Sequence, residues 1–147
     1  MLLGGLIEFG SRVKPAQDVM AAIADGRLKR PLTAWHCCLE FYAVATRLPE
    51  EFRLAPADAL RLLEEEVLGR FDVGQLSAGR RLPSLRDAVA ERVAGGRIYD
   101  AHIAAVAREI GAKVVVTDNA RHFSDLRRHD VRVSTSVEFA TLLSRRP

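Results

Sequence analysis

At 147 residues and 48% hydrophobic content, the chain can fill one core and is too short for two domains of ordinary size, so one domain over 1–147 is expected. Its 22 basic and 19 acidic residues leave a net charge of +3, which excludes a strongly basic surface dictated by composition and permits a polyanionic partner without requiring one. Arg supplies 19 of the 22 basic residues; guanidinium groups suit phosphate, but genomic base composition produces the same excess.

In chain order, residues 1–8 form a short apolar run ended by Gly10 and Ser11, which fits a strand covered on both faces. The opening segment 1–9 lacks a basic start and a small-residue cleavage site and is far shorter than a membrane span, so neither signal nor membrane anchor is expected. Pro15, then Val19, Met20 and Ile23 on one face, then Gly26, predict a helix over 15–25. A brief second strand at 31–33 leads to Thr33, a candidate N-cap for a helix carrying Leu39, Phe41, Val44 and Leu48 and closed by Pro49. In that helix Cys37 and Cys38 are adjacent. Neighbours seldom have the Cβ geometry of a disulfide, which fits a reduced, cytoplasmic setting.

Pro56 opens a helix whose Leu60, Leu63 and Val67 share a face, with Glu64, Glu65 and Glu66 turned to water. A short strand is expected within 71–77, and a helix over 83–94 ends at Gly95 and Gly96. The clearest unit follows: a helix over 98–110, Gly111 at its C′ position, and a β-branched strand over 113–117. That rhythm is doubly wound. A second β-branched stretch at 130–133 precedes a capped helix, Ser136–Ser144.

In parallel sheets, ligand-binding polar groups gather beyond the C-terminal strand ends, where helix N-termini converge. Three acids fall there. Asp118 follows the strand at 113–117, Asp100 opens the helix after Gly95-Gly96, and Glu40 lies early in the helix after residues 31–33. Each has an ordinary structural reading: Asp in a first turn complements the helix dipole, and Asp after a strand is a common turn or cap residue. Glu40 is the most telling, because its helix is mostly apolar and a buried carboxylate is costly without a partner. Converging carboxylates repel unless a cation or a proton intervenes, and Mg²⁺ or Mn²⁺, which prefer oxygen ligands, are the natural occupants.

The stretches C38-L-E-F-Y-A-V-A-T-R-L48, I98-Y-D-A-H-I-A104 and V116-T-D-N-A-R-H-F123, in this order, resemble the three later motifs of PIN domains, closest to VapC-like toxins. The resemblance covers roughly residues 1–134. It implies a three-layer α/β/α fold with a central parallel sheet, and a metal-dependent endoribonuclease that hydrolyses RNA phosphodiester bonds with Mg²⁺ or Mn²⁺, usually leaving a 5′-phosphate. It also implies metal positions at Glu40, Asp100 and Asp118, an orienting hydroxyl at Thr117, and Asn119 as an alternative to Asp118 in the same loop. The partners implied are RNA, a VapB-like antitoxin and a second copy in a homodimer.

One motif departs from the family. PIN domains begin with an Asp at the end of the first strand, whereas the matching segment here carries Gly4 and Gly5. The alternatives are natural loss of activity, leaving a degenerate PIN domain that acts as a binding or regulatory module; an altered or misread start; or a substitute ligand, Glu8 or Asp18. No glycine-rich phosphate loop follows the first strand, which argues against a generic nucleotide-binding domain. His36-Cys37-Cys38 lacks zinc-site spacing, so core thiols are expected. His102 and His122 could touch RNA but read more simply as surface or capping residues. Trp35 could stack on a base, with core or dimer contact the plainer reading.

Overall fold

The computed structural model describes residues 1–8 and 10–145; Phe9, which closes the opening apolar segment, lies outside them, as do residues 146 and 147. The elements are α1 (Leu2–Leu6), α2 (Lys14–Ala24), β1 (Leu32–Ala34), α3 (Trp35–Ala45), α4 (Pro56–Leu62), β2 (Asp72–Gly74), α5 (Ala78–Ala90), α6 (Arg97–Glu109), β3 (Val114–Val116), β4 (Arg132–Ser134) and α7 (Ser136–Ser144). Parallel strands flanked by helices give the expected α/β class. The sheet is small, however, and divides into two parallel pairs, β1 with β2 and β3 with β4.

The first expected strand is not one. Residues 2–6 are helical, and α1 packs on α2 and α3. A short apolar run suits a buried helix as well as a buried strand, and here glycine settles which. A Cβ on Gly5 would lie 2.5 Å from Met20 Cγ and 3.3 Å from the Ala16 carbonyl oxygen, and one on Gly4 would lie 3.2 Å from Val13 Cγ1. The two glycines therefore let α1 lie close against α2, and neither occupies a strand-end acid position.

Other differences are local. Helix α3 is capped at Ala34, not Thr33, with no side-chain cap bond. After α4 the chain widens into a π-helical turn, Leu63–Leu68. The buried stripe becomes Ala59, Leu63 and Val67 at four-residue spacing, and Leu60 is half exposed. Helix α5 begins five residues before Pro83. The Gly79 carbonyl, which meets the proline ring one turn later, is on an exposed residue. A 3₁₀ segment, Ala120–His129, joins β3 to β4 and was not expected.

The core lies in three clusters. The largest, including Met20, Phe41, Leu63 and Phe71, joins α1–α4; a second sets Ala34 and Leu76 against Ala105 and Val106 of α6; the third gathers Phe123, Leu126, Val131 and Val133. Cys38 is buried, as expected of a core thiol, but Trp35 is 46% exposed and so is not a core residue.

Gly5→Ala should destabilise the protein by about 1–3 kcal/mol through overpacking against Met20. Shortening Met20 to Ala in the same background should recover part of the loss. Urea unfolding midpoints of the single and double variants check this; strict additivity would refute the contact.

Candidate active site

Helix α6 begins after Gly95, whose φ of +58° is readily available to glycine, and places Asp100 in its first turn. Strand β3 ends at Val116, where the Thr117 N–H donates to the Ser134 carbonyl at 2.9 Å and continues the pairing with β4. The chain then turns over its own hydroxyl: the Asn119 N–H donates to Thr117 Oγ1 at 3.2 Å. This short turn brings Asn119 to Asp100, with Nδ2 3.4 Å from Oδ2.

His122, one turn into the 3₁₀ segment, completes the group. Its Nδ1 lies 2.6 Å from Asp100 Oδ2 and 2.6 Å from Asn119 Nδ2. With Nδ1 protonated, the ring N–H and the Asn119 amide N–H both donate to Asp100 Oδ2, so the two nitrogens meet around one acceptor oxygen and are not hydrogen-bonded to each other. The Asp100 and His122 side chains are about one quarter exposed, so the contact is partly shielded from water and stronger than a surface pair.

Asp118 points elsewhere. Its Oδ1 accepts from the Ser136 N–H at 3.1 Å and from Ser136 Oγ at 2.6 Å, which holds a negative charge at the N-terminus of α7. That helix also carries a reciprocal capping box between Thr135 and Glu138. The hydrogen bond from the Thr135 N–H lowers the Glu138 pKa. Glu40 is exposed on α3, contrary to the buried carboxylate expected.

All five expected site residues nevertheless line one cavity of about 1040 Å³: Glu40, Asp100, Thr117, Asp118 and Asn119. Their oxygens are of the type a hard divalent cation prefers. As placed, they do not enclose an ion: no group of three or more His, Cys, Asp or Glu side chains among the described residues could hold one. Asp100 and Asn119 are brought together, Asp118 is tied to α7, and Glu40 stands on the wall.

A family model described as PIN domain matches residues 12–129. This chain belongs to the PIN domain family. Like other PIN domains it has the three-layer α/β/α arrangement, here with a small sheet. It is also 40% identical over 84 residues to Ribonuclease VapC27 of Mycobacterium tuberculosis (strain ATCC 25618 / H37Rv). That match covers 56% of this PIN domain chain and 58% of the relative, less than two thirds of the latter's length.

Sequence reasoning missed the part played by His122 and Ser136. His122 had a usable signal, since it follows Asn119 at one-turn spacing. Ser136 had none, because it lies 18 residues from Asp118. Beside the site, His36 stacks on Tyr99 with ring centroids 4.8 Å apart and meets His102 edge-on at 5.9 Å. Burial first, and His36 second, lower the His102 pKa from its ordinary 6.5.

Two outcomes follow from these contacts. Ser136→Ala should cost about 1.5–3 kcal/mol, the worth of a hydrogen bond to a charged group, read from urea unfolding. For His102, a lowered folded pKa means that protonation favours the unfolded chain, so the stability present above pH 6.5 is lost as the pH falls. Unfolding midpoints of the native protein should therefore drop more between pH 7 and pH 5 than those of His102→Gln, and equal slopes would contradict the shift.

Proposed function

We propose that this PIN domain is a metal-dependent endoribonuclease of the VapC toxin type, acting as a single domain on RNA phosphodiester bonds. The carrying observation is the contact of Asp100 with Asn119 and His122, inside a cavity that Glu40, Thr117 and Asp118 also line. The likeness to a protein named as a ribonuclease supports the reading.

Each residue has a distinct part. Asp100 presents the central carboxylate, and His122 and Asn119 fix its orientation. Thr117 holds the turn that carries Asn119, and Asp118, which also lines the cavity, anchors that turn to α7. Glu40 adds negative charge from the cavity lining. Asp100, Glu40 and Asp118 are the carboxylates that would hold a Mg²⁺ or Mn²⁺ ion once Glu40 and Asp118 were drawn in from where they stand, and the ion would supply positive charge for the phosphodiester and lower the pKa of water. Because Asn119 makes the direct contact with Asp100, it carries the greater share of the loop's work on the site, and Asp118 the greater share of its anchoring.

The partners in this proposal are RNA, a VapB-like antitoxin and a second copy of the chain, in the cytoplasm. Helix α5 leaves Leu82, Leu85 and Val89 exposed, and α3 leaves Trp35 and Leu39 exposed. Both helices pack on α6, so their apolar surface suits a protein partner. No helix among the described residues is long and apolar enough to cross a membrane.

Purified protein with Mn²⁺ should cleave an unstructured RNA, and Asp100→Asn should lower the rate by about 10²–10³, the scale of losing one positioned electrostatic group. Cleavage no faster than that of folded Asp100→Asn, with folding checked by circular dichroism, would remove the enzyme reading. Asn119→Ala should reduce cleavage more than Asp118→Ala does, whereas Asp118→Ala should reduce the thermal midpoint more; the reverse order would exchange their assigned parts.

A further inference from the structure

A second recess, about 280 Å³ in volume, is walled by α3, α5 and α6 through His36, Ser84, Leu85, Tyr99 and His102. Its residues interleave with those of the acid-lined cavity. On α6, Tyr99 precedes Asp100 and His102 precedes Ile103, and both Asp100 and Ile103 line the cavity. On α3, His36 stands four residues before Glu40, a spacing that makes neighbours on a helix surface, about 5–6 Å apart at Cβ. A polynucleotide with one phosphate at the acids therefore has a neighbouring base within reach of this recess.

Flat rings make up its walls. His36 stacks on Tyr99 with 14° between the ring planes, and His102 meets His36 edge-on. Tyr99 is nevertheless 56% exposed, so His36 leaves much of it uncovered. Among the described residues, no hydrogen bond occupies the ring nitrogens of His36 and His102 or the Tyr99 hydroxyl. Ser84 Oγ donates to the Arg81 carbonyl at 2.8 Å and keeps its acceptor lone pairs. An aromatic face beside unused donors and acceptors is what an unstacked RNA base requires. Two imidazoles without a third ligand do not make a metal site. The volume falls just under the lower limit of about 300 Å³ for small-molecule pockets, enough for one flat ring system. Arg97, exposed and in no ion pair among the described residues, opens α6 two residues before Tyr99 and adds positive charge for a phosphate backbone.

We propose that this recess is a nucleobase subsite, which takes the base of a nucleotide next to the phosphodiester at the acids, stacks it on Tyr99 and meets its edge with His36, His102 and Ser84. Phosphate contacts position a nucleic acid, whereas base contacts select it, so the recess sets which nucleotide flanks the cut. A base paired within a helix is not free to enter, which restricts the substrate to single-stranded segments. The inference rests on RNA being the substrate, but not on its cleavage.

The test measures binding of labelled oligoadenylate and oligouridylate hexamers by fluorescence anisotropy, in an Asp100→Asn background that suppresses cutting. A base-free ribose-phosphate hexamer serves as the control. Tyr99→Ala should weaken at least one of the two RNA hexamers by about 5- to 150-fold, the range expected for losing one stacked base. Tyr99→Phe, which keeps the ring, should bind as tightly as the parent. Ser84→Leu, which narrows the recess from α5 and leaves the Tyr99 ring in place, should weaken the same hexamer. The base-free hexamer should bind every variant alike, with folding checked by circular dichroism. Absence of binding to either RNA hexamer, affinity unchanged by both Tyr99→Ala and Ser84→Leu, weak binding by Tyr99→Phe, or an equal loss for the base-free hexamer would each overturn the proposal. So would an altered oligomeric state in light scattering with RNA affinity unchanged, which would assign the recess to a protein contact. With Asp100 restored and Mn²⁺ added, binding losses without any cleavage would remove the nuclease reading and leave the subsite standing, whereas cleavage with unchanged binding would do the opposite.

Discussion

Helix α6 holds the two halves of the molecule together. Its Ala105 and Val106 pack on Ala34 and Leu76, beside the first strand pair, while Ile103 and Ala104 pack against Phe123, Leu126 and Val133, beside the second. The strand pairs make no ladder with each other, so much of their mutual placement passes through this helix. Small residues let it serve both sides, since Ala104, Ala105 and Ala107 allow close approach where longer side chains would force the layers apart. The same helix carries Asp100 in its first turn, so the element that spans the halves also delivers the central carboxylate.

The site is built by division of labour between neighbouring polar residues. Asp118 and Asn119 are adjacent, yet one bonds α7 and the other bonds α6. A loop pinned at both ends in this way loses freedom, and that rigidity sets the position of Asn119 beside the carboxylate. His122 adds a third tie. Local hydrogen bonds of roughly 1 kcal/mol each accomplish this because they act on a turn of only a few residues, where little conformational entropy opposes them.

Much of the architecture was legible because it rests on local rules. The unit α6, Gly111, β3 was readable from helical spacing, a glycine with φ of +70° and a β-branched run. Helix α7 was readable from its cap residues. Residues 1–8 were misread because an apolar run this short has no period of its own, and the close seat of Gly5 against Met20 is a contact between segments. Leu60 was misassigned to the core because three-residue spacing fits an α-helix, whereas the chain widens to a π-helical turn and buries Ala59 instead. Thr33 looked like a cap because its type suits one, but it lies within β1 and the helix is capped one residue later, at Ala34.

By itself the sequence determined the α/β class, the order of most elements and the motifs that carry Glu40, Asp100, Thr117, Asp118 and Asn119, since each depends on residue type and short-range spacing. Tertiary structure alone decided which side chains act together. Asp118 is drawn to Ser136 and Asn119 to Asp100 by partners 18 and 19 residues away. The opening segment is a helix because glycine lets it pack on α2. Such choices depend on what the folded chain brings within hydrogen-bonding or van der Waals reach, and those distances do not exist until the core has closed.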